Sequence, residues 1–166
     1  AQRHGMVMWD EIFAEVARDF PDVATRRILV DACAAAMVLR PGDFDVVVAT
    51  NLHADILSDL AGALSGSLGM AASANLDPER RAPSMFEPVH GSAPDIAGRG
   101  IANPLAAVAS GAMMLDHLGE AEAARRLAAA IERVAREGRA LTPDLGGTAT
   151  TDQLAEAVIA ALEQGN

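Results

Sequence analysis

The chain has 166 residues, 51% of them apolar, and a formal charge of −10. That length buries one sizeable core with a small second lobe, and the composition is that of a globular chain, not a disordered one. The acidic balance argues against nucleic acid or an anionic membrane as partner, and the lone cysteine, Cys33, excludes an intrachain disulfide and fits a reducing cytoplasm.

The N-terminus carries no signal-peptide pattern. The longest apolar or small-residue run, Leu105 to Leu115, is too short to span a bilayer. The chain opens on Ala1 and enters an amphipathic pattern almost at once, which hints at a fragment of something longer.

Trp9, Ile12, Phe13, Val16 and Phe20 recur at steps of three and four, so they share one helical face, and Pro21 ends that helix. His4, ahead of it, reads as an exposed terminal residue. Arg27 to Val30 is a short apolar run ending in Asp31, Ala32 to Leu39 reads as helix closed by Pro41-Gly42, and Phe44 to Ala49 reads as a second buried strand rich in β-branched residues. Strand, helix, strand suggests a βαβ unit with parallel strands, whose ligands sit beyond the carboxyl ends of the strands. Asp31 stands at such an end, where a helix N-cap role suits it equally well. Cys33 reads as a small buried apolar residue.

Thr50-Asn51 opens the next helix, to about Leu64. Asp55 and Asp59, at i and i+4, share one of its faces, and Ile56, Leu57, Leu60 and Leu64 make the apolar side. Two carboxylates stacked this way repel and gain nothing structurally, whereas a hard divalent cation asks for close, ionised oxygen ligands. A solvated acidic face has the same pattern. His53 reads as a surface or interface residue. The glycines at 62, 66 and 69 punctuate a turn that lacks the GxxxxGK phosphate-loop pattern. Ala71 to Leu76 reads as a strand, Asp77 to Arg81 as a turn, and Met85 to Val89 as a further short strand.

The next stretch, FEPVHGSAPDIAGRGIANP from Phe86 to Pro104, mixes glycines, prolines and polar side chains with almost no periodicity. Gly and Pro break both helices and central strands. Lying between apolar segments, the stretch reads as an ordered binding loop over a packed scaffold, although an ordinary surface crossover has the same composition. Asn103 as N-cap and Pro104 at the first helical position open an almost fully buried helix. His117, near its end, is placed favourably for a cation. Glu120 to Glu137 forms a helix with Leu127, Ile131 and Val134 inward and Gly138 as its stop. After a turn at Thr142 to Gly147, Thr150 and Gln153 fit a capping box for a last amphipathic helix through Leu154, Val158, Ile159 and Leu162. There is no internal repeat and no Ser/His/Asp or Cys/His nucleophile arrangement.

The Phe86–Pro104 stretch, NLHADILSD from Asn51 to Asp59 and VDA at Val30–Ala32 together closely resemble the β-decarboxylating dehydrogenases, the family of isocitrate, 3-isopropylmalate, homoisocitrate, D-malate and tartrate dehydrogenases. SANLDPERR from Ser73 to Arg81, followed by PSMF to Phe86, is similar to the tartrate/D-malate branch. The resemblance covers essentially the whole chain. It implies a partial isopropylmalate dehydrogenase-like α/β fold, a parallel or mixed sheet with flanking helices. Residues 1–75 would be the later part of the central dimerisation and metal-binding domain, and residues 76–166 a C-terminal segment returning to the dinucleotide-binding domain.

The resemblance further implies Mg²⁺ or Mn²⁺ held by Asp55 and Asp59, with Asp31 completing the site from the second subunit of a homodimer. Asp31 and Asp55 would be the catalytic residues present. NAD would be lined by Glu87, His90, Gly91, Ser92, Ala93, Asp95, Ile96 and Asn103. Asp95-Ile96 stand where NADP-using members resemble Lys-Tyr, and a carboxylate accepts a hydrogen bond from a ribose 2′-hydroxyl but repels a 2′-phosphate. His53-Ala54 departs from the aromatic residue and glycine common in the family. The family's substrate-binding arginines, tyrosine and lysine are absent, the lysine being expected just upstream of Ala1, so the resemblance makes this chain the C-terminal portion of such an enzyme and inactive alone. The implied activity is oxidation and decarboxylation of a small 2-hydroxy dicarboxylate in the cytoplasm, of tartrate/D-malate type. A 3-isopropylmalate dehydrogenase is the alternative within the class, and a non-catalytic nucleotide-binding and dimerisation module the alternative outside it.

Overall fold

A computed structural model describes residues 4–165. The chain divides into two compact units between Asp45 and Val46. The expected division after residue 75 concerns the architecture of whole relatives and is a separate matter.

The first unit holds α1 (Gly5–Ala17) and α2 (Val30–Leu39), followed by a short 3-10 turn at Pro41–Asp43. The amphipathic face expected around Trp9, Ile12 and Val16 is helical, but α1 buries none of its residues and stops three residues short of Phe20. An ion pair of 2.9 Å joins Arg27 to Asp10, and the Arg26 guanidinium lies 5.5 Å from the centre of the Phe44 ring. In α2, Cys33 and Ala36 are buried, which bears out the reading of Cys33 as a small apolar residue.

The second unit runs α3 (Asn51–Leu64), a 3-10 turn at Leu68–Met70, strands β1 (Ala72–Asn75) and β2 (Met85–Pro88), α4 (Leu105–His117), α5 (Ala121–Glu137), a 3-10 turn at Pro143–Leu145 and α6 (Thr151–Gln164). The strands pair antiparallel, Ala72 opposite Pro88 and Asn75 opposite Met85. The core is Leu105 of α4, Ala130 and Val134 of α5, and Leu154 and Val158 of α6, flanked by Met70, Leu127, Ile131 and Leu145. Burying a leucine side chain such as Leu105 or Leu154 is worth about 1.5–3 kcal/mol. The helix boundaries follow local chemistry. Gly138 closes α5, and Thr150 and Gln153 form the expected capping box on α6, the Thr150 hydroxyl accepting from the Gln153 N–H and the Gln153 carbonyl accepting from the Thr150 N–H.

The βαβ unit expected over residues 27–49 does not form among the described residues. Leu29 and Phe44 have extended backbone, yet no ladder joins their segments to a neighbour, and the sheet present is an antiparallel pair. A strand is stable only when a partner takes its N–H and C=O groups. Val46, which reads as a buried strand residue, is 90% exposed. Val30 begins α2 instead of ending a strand, so Asp31 sits in that helix's first turn, not beyond a strand's carboxyl end. Among the described residues no helix is long and apolar enough to cross a membrane.

Two glycines of the second unit give a test of this packing. A β-carbon on Gly147 would lie 1.9 Å from the Leu141 carbonyl oxygen, a backbone atom that cannot step aside. One on Gly111, inside α4, would meet nothing within 4 Å. Gly147→Ala is expected to lower the urea midpoint by the equivalent of several kcal/mol, beyond the usual range for a point change. Gly111→Ala should raise it by up to about 1 kcal/mol through helix propensity. Equal effects of the two substitutions would contradict the geometry at Leu141.

Candidate functional site

The hairpin feeds the loop directly. Glu87 lies in β2 opposite Ser73, whose hydroxyl donates to the Glu87 carbonyl at 3.0 Å, and the Val89 N–H donates to the Ala71 carbonyl at 3.0 Å. From His90 to Asp95 every residue is exposed, and Ile96 is half-buried. The Nδ1 atom of His90 lies 3.0 Å from the Gly91 carbonyl. A carbonyl only accepts, so Nδ1 is the donor in that contact. Ala93 has φ of +42°, a conformation that costs a residue with a β-carbon free energy. The turn that holds it there is short-range: the Ile96 N–H donates to the Ala93 carbonyl and the Arg99 N–H to the Ile96 carbonyl, both at 3.1 Å.

The far end of the loop is tied to distant parts of the chain. The Thr151 N–H donates to the Gly100 carbonyl at 2.9 Å, and the Thr151 hydroxyl donates to the Ala102 carbonyl at 2.6 Å. Asn103 is 9% exposed. Its Oδ1 accepts from the Leu105 N–H at 2.9 Å, the capping bond expected of it, and its Nδ2 donates to Asp144 Oδ2 at 2.9 Å. The same Asp144 oxygen accepts from the Ser67 hydroxyl at 2.5 Å, and Ser67 in turn accepts from the Gly69 N–H at 2.9 Å. Gly69 has to be glycine here: a β-carbon on it would meet Asn103 Cβ at 2.8 Å and Asp144 Oδ2 at 3.0 Å. Ser67, Asp144 and Thr151 carry no functional signal in the sequence. Each lies 41 to 77 residues from its partner, beyond any local motif.

Burial pushes the Asp144 carboxyl up, but the hydrogen bonds it accepts from Ser67 and Asn103 outweigh that and hold it below its ordinary value. The neighbouring Thr142 hydroxyl is fully buried with no partner of ordinary hydrogen-bond geometry, and its proximity also helps hold the Asp144 carboxyl down.

Asp55 and Asp59 occupy one exposed face of α3, one turn apart, and neither takes part in an ion pair among the described residues. Asp31, in the first unit, accepts from the Ala32 N–H at 2.8 Å. Among the described residues no group of three His, Cys, Asp or Glu side chains converges on a point that could hold a metal. A hollow of about 320 Å³ lies at the entry to β2, lined by Arg80, Ser84, Phe86, Met114, His117 and Leu118. It contains none of the expected site residues.

The loop thus carries a strained alanine, exposes residues 90–95 and is strapped at its far end to the helical core. Comparisons with known proteins place the chain in a family. The profile of the isocitrate/isopropylmalate dehydrogenase family matches residues 3–158, and the chain belongs to that family. It is 64% identical over its full 166 residues to a probable tartrate dehydrogenase/decarboxylase of Agrobacterium vitis, covering 46% of that relative. It is 58% identical over 149 residues to an isocitrate/homoisocitrate dehydrogenase of Thermus thermophilus, covering 43% of it. The crystal structure of isocitrate dehydrogenase from Methylococcus capsulatus superposes with a TM-score of 0.88 at 49% identity, over 93% of this chain and 45% of that one. The chain thus spans about half the length of the relatives it matches, and its fold is a part of theirs.

The Asp144 carboxylate gives this site a pH signature. Its folded pKa lies below the ordinary 3.8, so its contribution to stability is fully present above that value and is lost as pH falls through the folded pKa. Asp144→Asn should therefore be less stable than the parent near neutrality, and the gap in urea midpoint should close as pH drops below about 3.8. A gap that widens on acidification would contradict the sign.

Proposed function

We propose that the chain is part of an NAD-dependent, Mg²⁺- or Mn²⁺-dependent 2-hydroxyacid dehydrogenase of the tartrate/D-malate type, which oxidises the hydroxyl by hydride transfer and decarboxylates the resulting β-keto acid. The observation that carries this reading is the 64% identity, over all 166 residues of the chain and 46% of the relative, to a probable tartrate dehydrogenase/decarboxylase. Residues 1–75 are read as belonging to the metal-binding and dimerisation domain, and residues 76–166 as the segment that returns to the dinucleotide-binding domain.

The donor chemistry of α3 fits a hard cation. Asp55 and Asp59 are exposed carboxylates one turn apart that take part in no ion pair among the described residues, so they repel each other until something positive sits between them. They would hold the metal together with Asp31 of a second copy, which makes the functional form a homodimer. Bound there, the ion supplies Lewis acidity toward the substrate's hydroxyl oxygen. The rest falls to the chain's own residues. The loop from Glu87 through Ile96 offers its exposed backbone and the His90 ring to the dinucleotide, and Asp95 accepts the hydrogen bond of a ribose 2′-hydroxyl while repelling a 2′-phosphate. Asn103 uses its carbonyl and one N–H internally, so a second N–H remains for a ligand. The chain contains neither tyrosine nor lysine, and without the general acid and base that the family takes from such residues it is read as inactive by itself. NADH formation from tartrate or D-malate by the pure chain, at rates typical of a complete enzyme, would refute that part.

The metal reading is checked by Mn²⁺ binding in electron paramagnetic resonance, with mass measured by light scattering. Asp55→Ala and Asp59→Ala should each weaken binding at least about tenfold. Asp31→Ala should weaken it only where the sample is dimeric. A strictly monomeric chain, or one whose Mn²⁺ binding ignores Asp55 and Asp59, contradicts the assignment.

The cofactor reading is checked by comparing dissociation constants for NAD and NADP. NAD should bind more tightly, and Asp95→Lys with Ile96→Tyr should narrow or invert the preference. Tighter binding of NADP by the unchanged chain removes Asp95 from the adenosine ribose.

A further inference from the structure

The loop's hydrogen bonds are unevenly distributed. At its start one backbone bond ties Val89 to Ala71. Over residues 90–99 the hydrogen bonds among the described residues are all local: His90 with Gly91, Ile96 to Ala93 and Arg99 to Ile96. Among the described residues, every long-range bond at the loop's far end involves one of two residues outside it: Thr151 donates to Gly100 and Ala102, and Asp144 accepts from Asn103.

These two residues are not engaged in shaping their own elements. The first turn of α6 is capped by Thr150 and Gln153 in a complete capping box. Thr151 therefore keeps both its N–H and its hydroxyl for the loop. Its N–H is one of the free donors at the helix's positive end, well suited to a carbonyl. Asp144 lies in the 3-10 turn at Pro143–Leu145, and its carboxylate hydrogen bonds go to Ser67 and Asn103, 77 and 41 residues away. A charged acceptor makes both bonds roughly twice as strong as neutral ones. Gly69 closes the arrangement sterically, because any β-carbon there would push on Asn103 and Asp144 together. A strained residue such as Ala93 persists only where its surroundings over-determine it. Fixed ends shorten the set of paths open to residues 90–99, and that lowers the ordering cost of binding.

We propose that Asp144 and Thr151 are positioning residues that clasp the far end of the loop and hold it in its ligand-ready form before a ligand arrives. The ligand assignment rests on the dinucleotide reading above; the clasp does not. The test is residue-resolved hydrogen exchange on the full chain without ligand, combined with the dissociation constant for NAD. Asp144→Ala should speed exchange of the Leu105 and Gly69 amides about tenfold, and Thr151→Val should do so at position 151, while α5 keeps its protection. Both variants should weaken NAD binding by a similar factor, and Thr151→Ser, which restores the hydroxyl, should recover it. Unchanged exchange in both variants overturns the clasp. Faster exchange with NAD affinity unchanged also overturns it, since the bonds would then be structural only. If the parent chain binds no NAD at millimolar concentration and the loop still loosens, the clasp stands and the dinucleotide reading fails. Should Asp144→Ala fail to fold, Thr151→Val against Thr151→Ser decides alone.

Discussion

The side chain of Asn103 joins three parts of the second unit through one amide. Its carbonyl caps α4 at Leu105, and its N–H reaches across to Asp144. Leu105 is 1% exposed and packs with Leu154 and Val158 of α6, so the capping bond sets where the core begins. Asp144 passes the constraint on to Ser67 and, through it, to the turn that contains Gly69. The loop that the sequence marks as a binding element is therefore anchored to the most buried part of the molecule. A buried amide with both ends satisfied is rigidifying, and with one end cut it becomes a cost.

What was legible in the sequence followed from how local the physics is. The capping box at Thr150 and Gln153 and the stop at Gly138 are contained within a few residues and both are present; α4 begins one residue later than expected, with Pro104 at its N-cap, while the Asn103 side chain still accepts from the Leu105 N–H. The strands that composition suggests at 27–30 and 44–49 find no ladder among the described residues, because β-branched composition describes a segment that fits a sheet, not one that has found a neighbour. Val46 at 90% exposure is the measure of that difference. The Asp144–Asn103 and Thr151–Ala102 bonds have no local signature, since nothing nearby distinguishes a turn aspartate or the first threonine of a helix that reaches 41 or 49 residues away.

The functional reading has two supports of different kinds. Family membership comes from the match over residues 3–158 and from relatives that align with all 166 residues of this chain, about half of their own length. The loop's geometry adds a physical reason why this stretch should bind something: exposed polar groups, a strained alanine and fixed ends. For the paired carboxylates of α3 the support is electrostatic. They are close, exposed and without a cation among the described side chains, an arrangement that favours an added charge of opposite sign.

The most direct measurement is a titration of the isotope-labelled chain with NAD, followed by backbone and side-chain amide chemical shifts. The expected result is a saturating set of changes confined to residues 87–103, with Ile96 and the Asn103 side-chain amide among the largest. Changes centred instead on the hollow lined by Phe86, Met114 and His117, or saturating changes that leave the loop untouched, would contradict the assignment of the loop as the dinucleotide site.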